Sequence, residues 1–284
     1  MVVLPEHVGT WLMVSGEKDE LYQAATFDEA MNWLAASNPL PFLRAWVTAK
    51  GDSRVADAHL RMKAKNMARQ YQALFGGLAR EFQVTLVAGS IVLPEPRVED
   101  GSLKIGRGPL YNASLVFGRD GLPLGQPQRQ ISPSVEERTF IQADAEQTLK
   151  VVDTPAGRLG ILIGNDSWYP GNYRTLNEQG ATLIAVPAFV SGRGTWDKPW
   201  RGYQGPSTPS EIGLKPGELS EGQAWHRLTL TSQQPISQAR AGISVFLRGQ
   251  FWDRGNAGQS FLSSNGQHFA DGEARGARLL NLWL

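Results

Sequence analysis

The stretch Gly157-Arg158-Leu159-Gly160-Ile161-Leu162-Ile163-Gly164-Asn165-Asp166-Ser167-Trp168-Tyr169-Pro170, followed shortly by Gly180-Ala181-Thr182-Leu183-Ile184-Ala185-Val186-Pro187, decides the fold of this chain. Arg158 to Gly164 reads as a buried strand, paired as a hairpin with Leu149 to Asp153 around Pro155-Ala156-Gly157. Tyr169 to Gln179 reads as a short helix, and Ala181 to Ala188 as a second apolar strand. Strands this apolar present no polar face to water, so they belong inside a sheet covered on both sides.

The same pattern extends outward. Val2-Val3-Leu4 reads as the end of a buried strand that stops at Pro5, and Val84 to Leu93 as a continuous apolar strand. Pro94 to Gly108 is a loop, Tyr111 to Gly118 a strand, and Asp120-Gly121 a turn after which the chain returns through residues 122 to 132. Thr26 and Glu29 fit a capping box opening a helix from Thr26 to Ala35. Residues 55 to 82 predict one long helix, with Leu60, Met67, Tyr71, Leu74, Leu78 and Phe82 on its apolar face and Arg61, Lys63, Lys65 and Arg69 on a solvated one.

Residues 191 to 220 predict a long functional loop, and Gln223 to Ala241 a helix broken at Pro235. Gly242 to Leu247, Gln259 to Ser263 and Leu279 to Leu284 predict the last strands. Helices and strands alternate with several hairpins, which gives an α/β layered domain with a mixed sheet or a pair of sheets.

Composition narrows the function classes. Apolar residues make up 41% and charged residues 19%, as in an ordinary globular protein, and the formal net charge of +1 argues against nucleic acid or an anionic membrane as partner. No stretch approaches the roughly 18 apolar residues of a membrane span, and the start has no signal-peptide pattern, so the cytoplasm is the expected location. There is no cysteine, which excludes disulfides, thiolate zinc sites and a thiol nucleophile. His7, His59, His226 and His268 show no ligand spacing and read as surface or structural residues, so neither a metal nor a cofactor is expected.

Several segments, in order, resemble the nitrilase (carbon–nitrogen hydrolase) superfamily. They are Val3-Leu4-Pro5-Glu6, Val87-Ala88-Gly89-Ser90, Gly108-Pro109-Leu110-Tyr111-Asn112-Ala113, Arg129-Gln130-Ile131 with Glu136-Glu137-Arg138, the opening stretch 157 to 187, Arg240-Ala241 and Gly258-Gln259-Ser260. The resemblance covers nearly the whole chain and implies a single domain over 1–284. The implied fold is an αββα sandwich with its site at one end of the sheets, apparently short of the family's first strand and helix. Such a shortened start implies a truncated chain or a strand supplied in another way; a lost segment of this kind is also where a signal or anchor would sit. The resemblance further implies a homo-oligomer.

It also implies site residues. Glu6 takes the place of the general base, Gln130 that of the oxyanion-holding lysine, Gly164 that of the nucleophilic cysteine and Glu137 that of a second glutamate, while Asp166 and Pro170 match the family. Asn165, Trp168 and Tyr169 are expected to contact substrate. Trp168, Tyr169, Trp196, Trp200 and Tyr203 either line the pocket or pack in the core. Without a lysine, Glu137 is expected either at the site or paired with Arg129 or Arg138.

The chemistry of these residue types follows. Amide or nitrile hydrolysis needs a nucleophile, a carboxylate to move the proton and a donor for the oxyanion. Burial of Glu6 would suit it as a base. Gly164 has no side chain, and Gln130 donates a hydrogen bond but carries no charge. The expected protein is a catalytically silent member of the fold that binds a small amide, nitrile or carboxylate ligand or acts only through assembly. The alternative is an active hydrolase of non-peptide carbon–nitrogen bonds in which Glu6 activates water; a third reading is a decayed chain that aggregates.

Overall fold

A computed structural model describes residues 1–144, 149–204, 208–209, 213–230, 236–270 and 276–283. Its centre is a six-stranded sheet in the order Gln267–Ala270, Phe261–Ser264, Ala241–Phe246, Leu183–Ala188, Gly157–Ile161, Val151–Thr154. The three middle strands run parallel, and the others join by antiparallel hairpins. Leu183–Ala188 is buried at every position, as its unbroken apolar run predicts.

A second layer faces it in two three-stranded pieces. Val2–Val3, Leu86–Val87 and Val116–Phe117 form one, and Ile91–Pro94, Leu110–Ser114 and Gln128–Arg129 the other. Val2–Val3 lies at an edge and pairs, among the described residues, only with Leu86–Val87.

Three apolar cores divide the layers. Val87 and Val116 of the second layer meet Leu159, Ile161, Leu183, Ala185 and Ala241 of the six-stranded sheet. The other face of that sheet, with Ile184, Val186, Phe246 and Phe261, packs on Tyr173, Leu176, Ala224, Trp225 and Leu228 of the helices Pro170–Glu178 and Glu221–Leu228. The outer face of the second layer packs on Met31, Leu34, Leu60, Met67 and Tyr71 of the helices Phe27–Ser37 and Arg54–Tyr71. Period-two alternation along Leu183–Ala188 sends successive side chains to different cores, which produces a helix–sheet–sheet–helix sandwich.

Four expectations need correction. The long helix is interrupted at Gln72–Gly76 by a π turn before resuming at Gly77–Glu81. A π turn adds a residue and rotates the following face. Phe75 and Ala79 are therefore buried, whereas Leu74 and Phe82 are exposed.

The apolar run 84–93 is two strands broken at Ala88-Gly89-Ser90, for a reason given with the site below. The helix near 223 spans only Glu221–Leu228, and Pro235 lies outside the described residues. Residues 279–283 form no strand and leave Leu279 and Trp283 exposed, while Leu284 lies outside the described residues. The last strand is Gln267–Ala270, whose exposed residues carry no alternation to betray it.

Thr26 does cap its helix through Glu29 N–H at 3.1 Å, but the Glu29 carboxylate accepts from Ala25 N–H instead of closing the box on Thr26. No helix of the described residues is long and apolar enough to cross a membrane.

Candidate functional site

Glu6 follows the edge strand, and its position is set by the strand break at Ala88-Gly89-Ser90. Leu4 N–H donates to the Val87 carbonyl at 2.9 Å, His7 N–H to Ser90 Oγ at 2.8 Å and Gly9 N–H to the Ser90 carbonyl at 2.9 Å. Residue 89 has φ +63°, and a Cβ there would lie 2.0 Å from the Pro5 carbonyl oxygen, so only glycine fits. The break in the strand is what lets Pro5 and Glu6 pass.

Glu6 is 3% exposed and sits in a network of amides. Asn112 Nδ2 donates to Glu6 Oε1 at 2.9 Å and to Gln130 Oε1 at 3.1 Å. Gln130 Nε2 approaches both Glu6 Oε1 and the Ile163 carbonyl at 3.4 Å. Burial, aided by the charges of Glu137 and Asp166, pushes the Glu6 carboxyl well above its usual value against the opposing hydrogen bonds from Asn112 and the Phe189 backbone.

Gly164 stands where the strand Gly157–Ile161 has ended and the turn Gly164–Trp168 begins. Its φ is +52°, and a Cβ built there would lie 2.9 Å from Glu6 Oε2, 3.0 Å from Glu6 Oε1 and 3.1 Å from Gln130 Nε2. The three positions that resemble a base, a cysteine and a lysine thus converge on one point.

Asp166 holds the elbow to the Gln130 strand. It is fully buried, and its Oδ1 accepts from Ile131 N–H at 3.1 Å and Ser132 N–H at 2.6 Å. Burial nevertheless pushes its carboxyl up to about 7, overriding the hydrogen bonds from Ile131, Ser132 and Ile163, with a further upward push from Glu137. Ser167 Oγ donates to the Gly164 carbonyl at 2.8 Å and meets Thr229 Oγ1 at 3.0 Å, so its hydroxyl is committed to the turn.

Glu137 does not pair with Arg129. It faces His7, with Oε1 3.0 Å from Nε2, and its Oε2 accepts from Ser134 N–H at 2.8 Å. Burial raises the Glu137 carboxyl, but the His7 contact and Ser134 outweigh it and hold the group below its usual value. Arg129 instead pairs with Asp144 at 3.0 Å and lies over the Tyr111 ring at 4.3 Å.

His7 belongs to the same cluster, where sequence reading placed a surface or structural residue. A ligand atom from each of Glu6, His7 and Glu137 lies within 4.8 Å of the others. Its adjacency to Glu6 was the signal available in the sequence.

Asn165 and Tyr169 are half-buried, and Tyr169 rests on Tyr203 with ring centres 5.6 Å apart. Trp168 is 1% exposed and packs on Trp200, Tyr203 and Trp225 with ring centres 5.9, 6.2 and 5.0 Å away, so the structure puts it in the core. Trp196 packs edge-on against Phe246 and His226.

A four-layer sandwich with a buried carboxylate over a strand-end elbow defines a fold and site class, and comparison with known proteins identifies it. The sequence model of the carbon–nitrogen hydrolase family matches residues 1–207, and the chain belongs to that family. It is 30% identical over 123 residues to "Probable hydrolase YhcX" of Bacillus subtilis (strain 168), covering 43% of this chain and 21% of that protein. It is 44% identical over 52 residues to "Deaminated glutathione amidase" of Yersinia enterocolitica, covering 17% of this chain and 18% of that protein. The matched stretches thus span only about a fifth of either relative.

Among solved structures, a cysteine-to-alanine variant of the Nesterenkonia AN1 amidase from the nitrilase superfamily matches with TM-score 0.54 and 17% identity over 75% of this chain and 66% of that one. An amidase from Nesterenkonia sp. matches with TM-score 0.51 at 17% identity over the same shares, 75% and 66%. These likenesses are of fold.

Proposed function

We propose that this chain binds a small uncharged amide beside Glu6 and does not turn it over through a covalent thioester. The observation that carries this reading is the direction of the absent Gly164 side chain, which points between Glu6 and Gln130 at 2.9 to 3.1 Å. A residue there would be placed to attack; glycine cannot, and the sequence has no cysteine elsewhere. Loss of a nucleophile costs a factor of about 10⁴ to 10⁶ in rate. The names of the relatives, a hydrolase and an amidase, support a carbon–nitrogen ligand class.

An amide is favoured over a carboxylate because Glu137 and Asp166 already disfavour negative charge at Glu6. An added anion would meet the same repulsion. The Gln130 and Asn112 amides offer donors and acceptors suited to a neutral amide group.

The test is ammonia release from a panel of amides and nitriles, run on this chain beside Gly164→Cys/Gln130→Lys. Silence from the chain, release by the double variant, and calorimetric binding of acetamide in preference to acetate are expected. Ammonia release by the unaltered chain, or no amide binding, would overturn the reading.

Hydrolysis by water with Glu6 as base is the second reading. The position of Glu6 favours it, because its carboxylate oxygens lie 2.9 and 3.0 Å from the point where a Gly164 Cβ would sit. It requires ammonia release that disappears in Glu6→Gln.

A further inference from the structure

The basic residues of the helix Arg54–Tyr71 fall into two groups. Arg61 and Lys63 are neutralised by ion pairs with Asp57 and Glu17. Lys65 and Arg69 are exposed, and among the described residues neither pairs with a carboxylate; Arg69 donates to Asn66 Oδ1 at 2.7 Å. They lie one turn apart on the helix, a spacing at which like charges repel.

Facing them is a hairpin inside the stretch that reads as a loop, Arg97–Glu99 paired with Ser102–Lys104. Asp100 and Gly101 close it with φ +50° and +68°, a two-residue turn that suits the strand twist. The register sets Arg97 directly opposite Lys104, a like-charge pair that is unfavourable by itself. Gln72, where the π turn begins, ties this hairpin to the helix. Its Nε2 donates to the Gly101 carbonyl at 3.1 Å, and its Oε1 accepts from Leu103 N–H at 2.7 Å. Gln126 holds the other strand, accepting from Val98 N–H and donating to the Val98 carbonyl, both at 2.9 Å. The hairpin is therefore a fixed wall.

Helix and hairpin enclose a groove of about 610 Å³, the size of a small-molecule site. Lys65, Arg69, Arg97 and Lys104 all line it, against the one carboxylate of Glu99, which is already paired with Arg97. The short side chains of Ala68 and Ala73 leave the space between the cations open. Cations gathered at neighbouring positions of two fixed elements repel one another. A multivalent anion would remove that repulsion and accept charge-assisted hydrogen bonds. Arginine forks and lysine ammonium groups together suit phosphate oxygens. Among the described residues no aromatic ring lines the groove, so nothing there is placed to stack on a base.

We infer that this groove binds a small anion carrying two or more phosphate groups. It shares no residue with the Glu6 cluster, so the inference is independent of the amide-binding reading.

The experiment is calorimetric titration of sodium tripolyphosphate, pyrophosphate, orthophosphate and citrate into the full chain. Tripolyphosphate should bind as one equivalent with a dissociation constant of about 100 μM or below in dilute buffer, and about ten-fold or more weaker in about 0.5 M salt. Pyrophosphate should come next and orthophosphate should be at least about ten-fold weaker than tripolyphosphate. Lys65→Gln, Arg69→Gln and Lys104→Gln should each weaken tripolyphosphate about three-fold or more. Arg227→Gln, which changes an exposed arginine outside the groove, should leave the affinity unchanged. Glu99→Gln removes the opposing carboxylate and should tighten binding, an effect that loss of folding cannot imitate. Failure of tripolyphosphate to bind at the expected strength overturns the inference, as does equal affinity for citrate or orthophosphate. So does full affinity in groove variants that circular dichroism shows to be folded, or equal weakening by Arg227→Gln. Oligouridylate binding about ten-fold or more tighter than tripolyphosphate would assign the groove to nucleic acid instead and equally overturn it.

Discussion

The Cβ direction of Gly164 points at the Glu6 carboxylate, 2.9 Å from Oε2 and 3.0 Å from Oε1. A Cβ there requires the Glu6 carboxylate to move aside, so an added side chain at 164 and the present place of that carboxylate compete. The elbow is built for a glycine as it stands, even though the surrounding residues follow a pattern in which a larger one acts.

That relationship makes the elbow sensitive to any side chain. At φ +52°, Gly164→Ala should lose about 1 to 2 kcal/mol from the backbone alone, with more from moving Glu6. Gly164→Cys should lose at least as much. Urea unfolding of both variants checks this, and an unchanged or higher midpoint in Gly164→Ala would contradict the geometry.

Asn112 is the donor that Glu6 and Gln130 share, at 2.9 and 3.1 Å. Asn112→Ala leaves both acceptors buried without it and should cost about 1 to 3 kcal/mol per unsatisfied group. Chemical denaturation measures the loss; a cost under about 0.5 kcal/mol, typical of surface changes, would mean the network contributes little.

Asp166 gives the protein a pH dependence of definite sign. Its folded value of about 7 lies above the ordinary 3.8, so the folded state binds the proton more tightly than the unfolded chain. The penalty is absent below about pH 4 and grows as pH rises towards 7, reaching about 4 kcal/mol at roughly 1.4 kcal/mol per pH unit. Urea midpoints should therefore fall between about pH 4 and about pH 7, and Asp166→Asn should flatten the slope. A midpoint that rises over that range, with Asp166→Asn behaving like the parent, would refute the assignment.

The π turn can be tested by the residues it exchanges. Phe75 is 4% exposed and Leu74 is 45% exposed. Phe75→Ala should lose about 3 to 5 kcal/mol, and Leu74→Ala well under half of that. Thermal or urea unfolding of the pair distinguishes this register from an uninterrupted α-helix, in which the larger loss would fall on Leu74.

Much of the framework is legible from local pattern. The strands Gly157–Ile161, Leu183–Ala188 and Ala241–Phe246 announce themselves by apolar runs, and the ordered motifs locate Glu6, Gln130 and Gly164, which the fold then brings to one point. What local pattern misses is decided at a distance. The break at Gly89 exists because the Pro5 carbonyl passes there, and His7 enters the cluster only through Glu137, far along the chain. Periodicity assumes 3.6 residues per turn and cannot foresee Gln72–Gly76. Trp168 reads equally as pocket or core from its residue type, and only the packing of Trp200, Tyr203 and Trp225 decides between them.

The edge strand Val2–Val3 has a kinetic consequence for the residue that follows it. Glu6 is 3% exposed, so a ligand meets it only after some part of its surroundings swings away. Among the described residues the two-residue strand pairs only with Leu86–Val87, and short strands with few ladder hydrogen bonds are among the cheaper parts of a fold to open; this one leads to Pro5 and Glu6. On the amide-binding proposal, the apparent affinity of a ligand is its intrinsic affinity scaled down by the fraction of molecules in which the surroundings of Glu6 stand open.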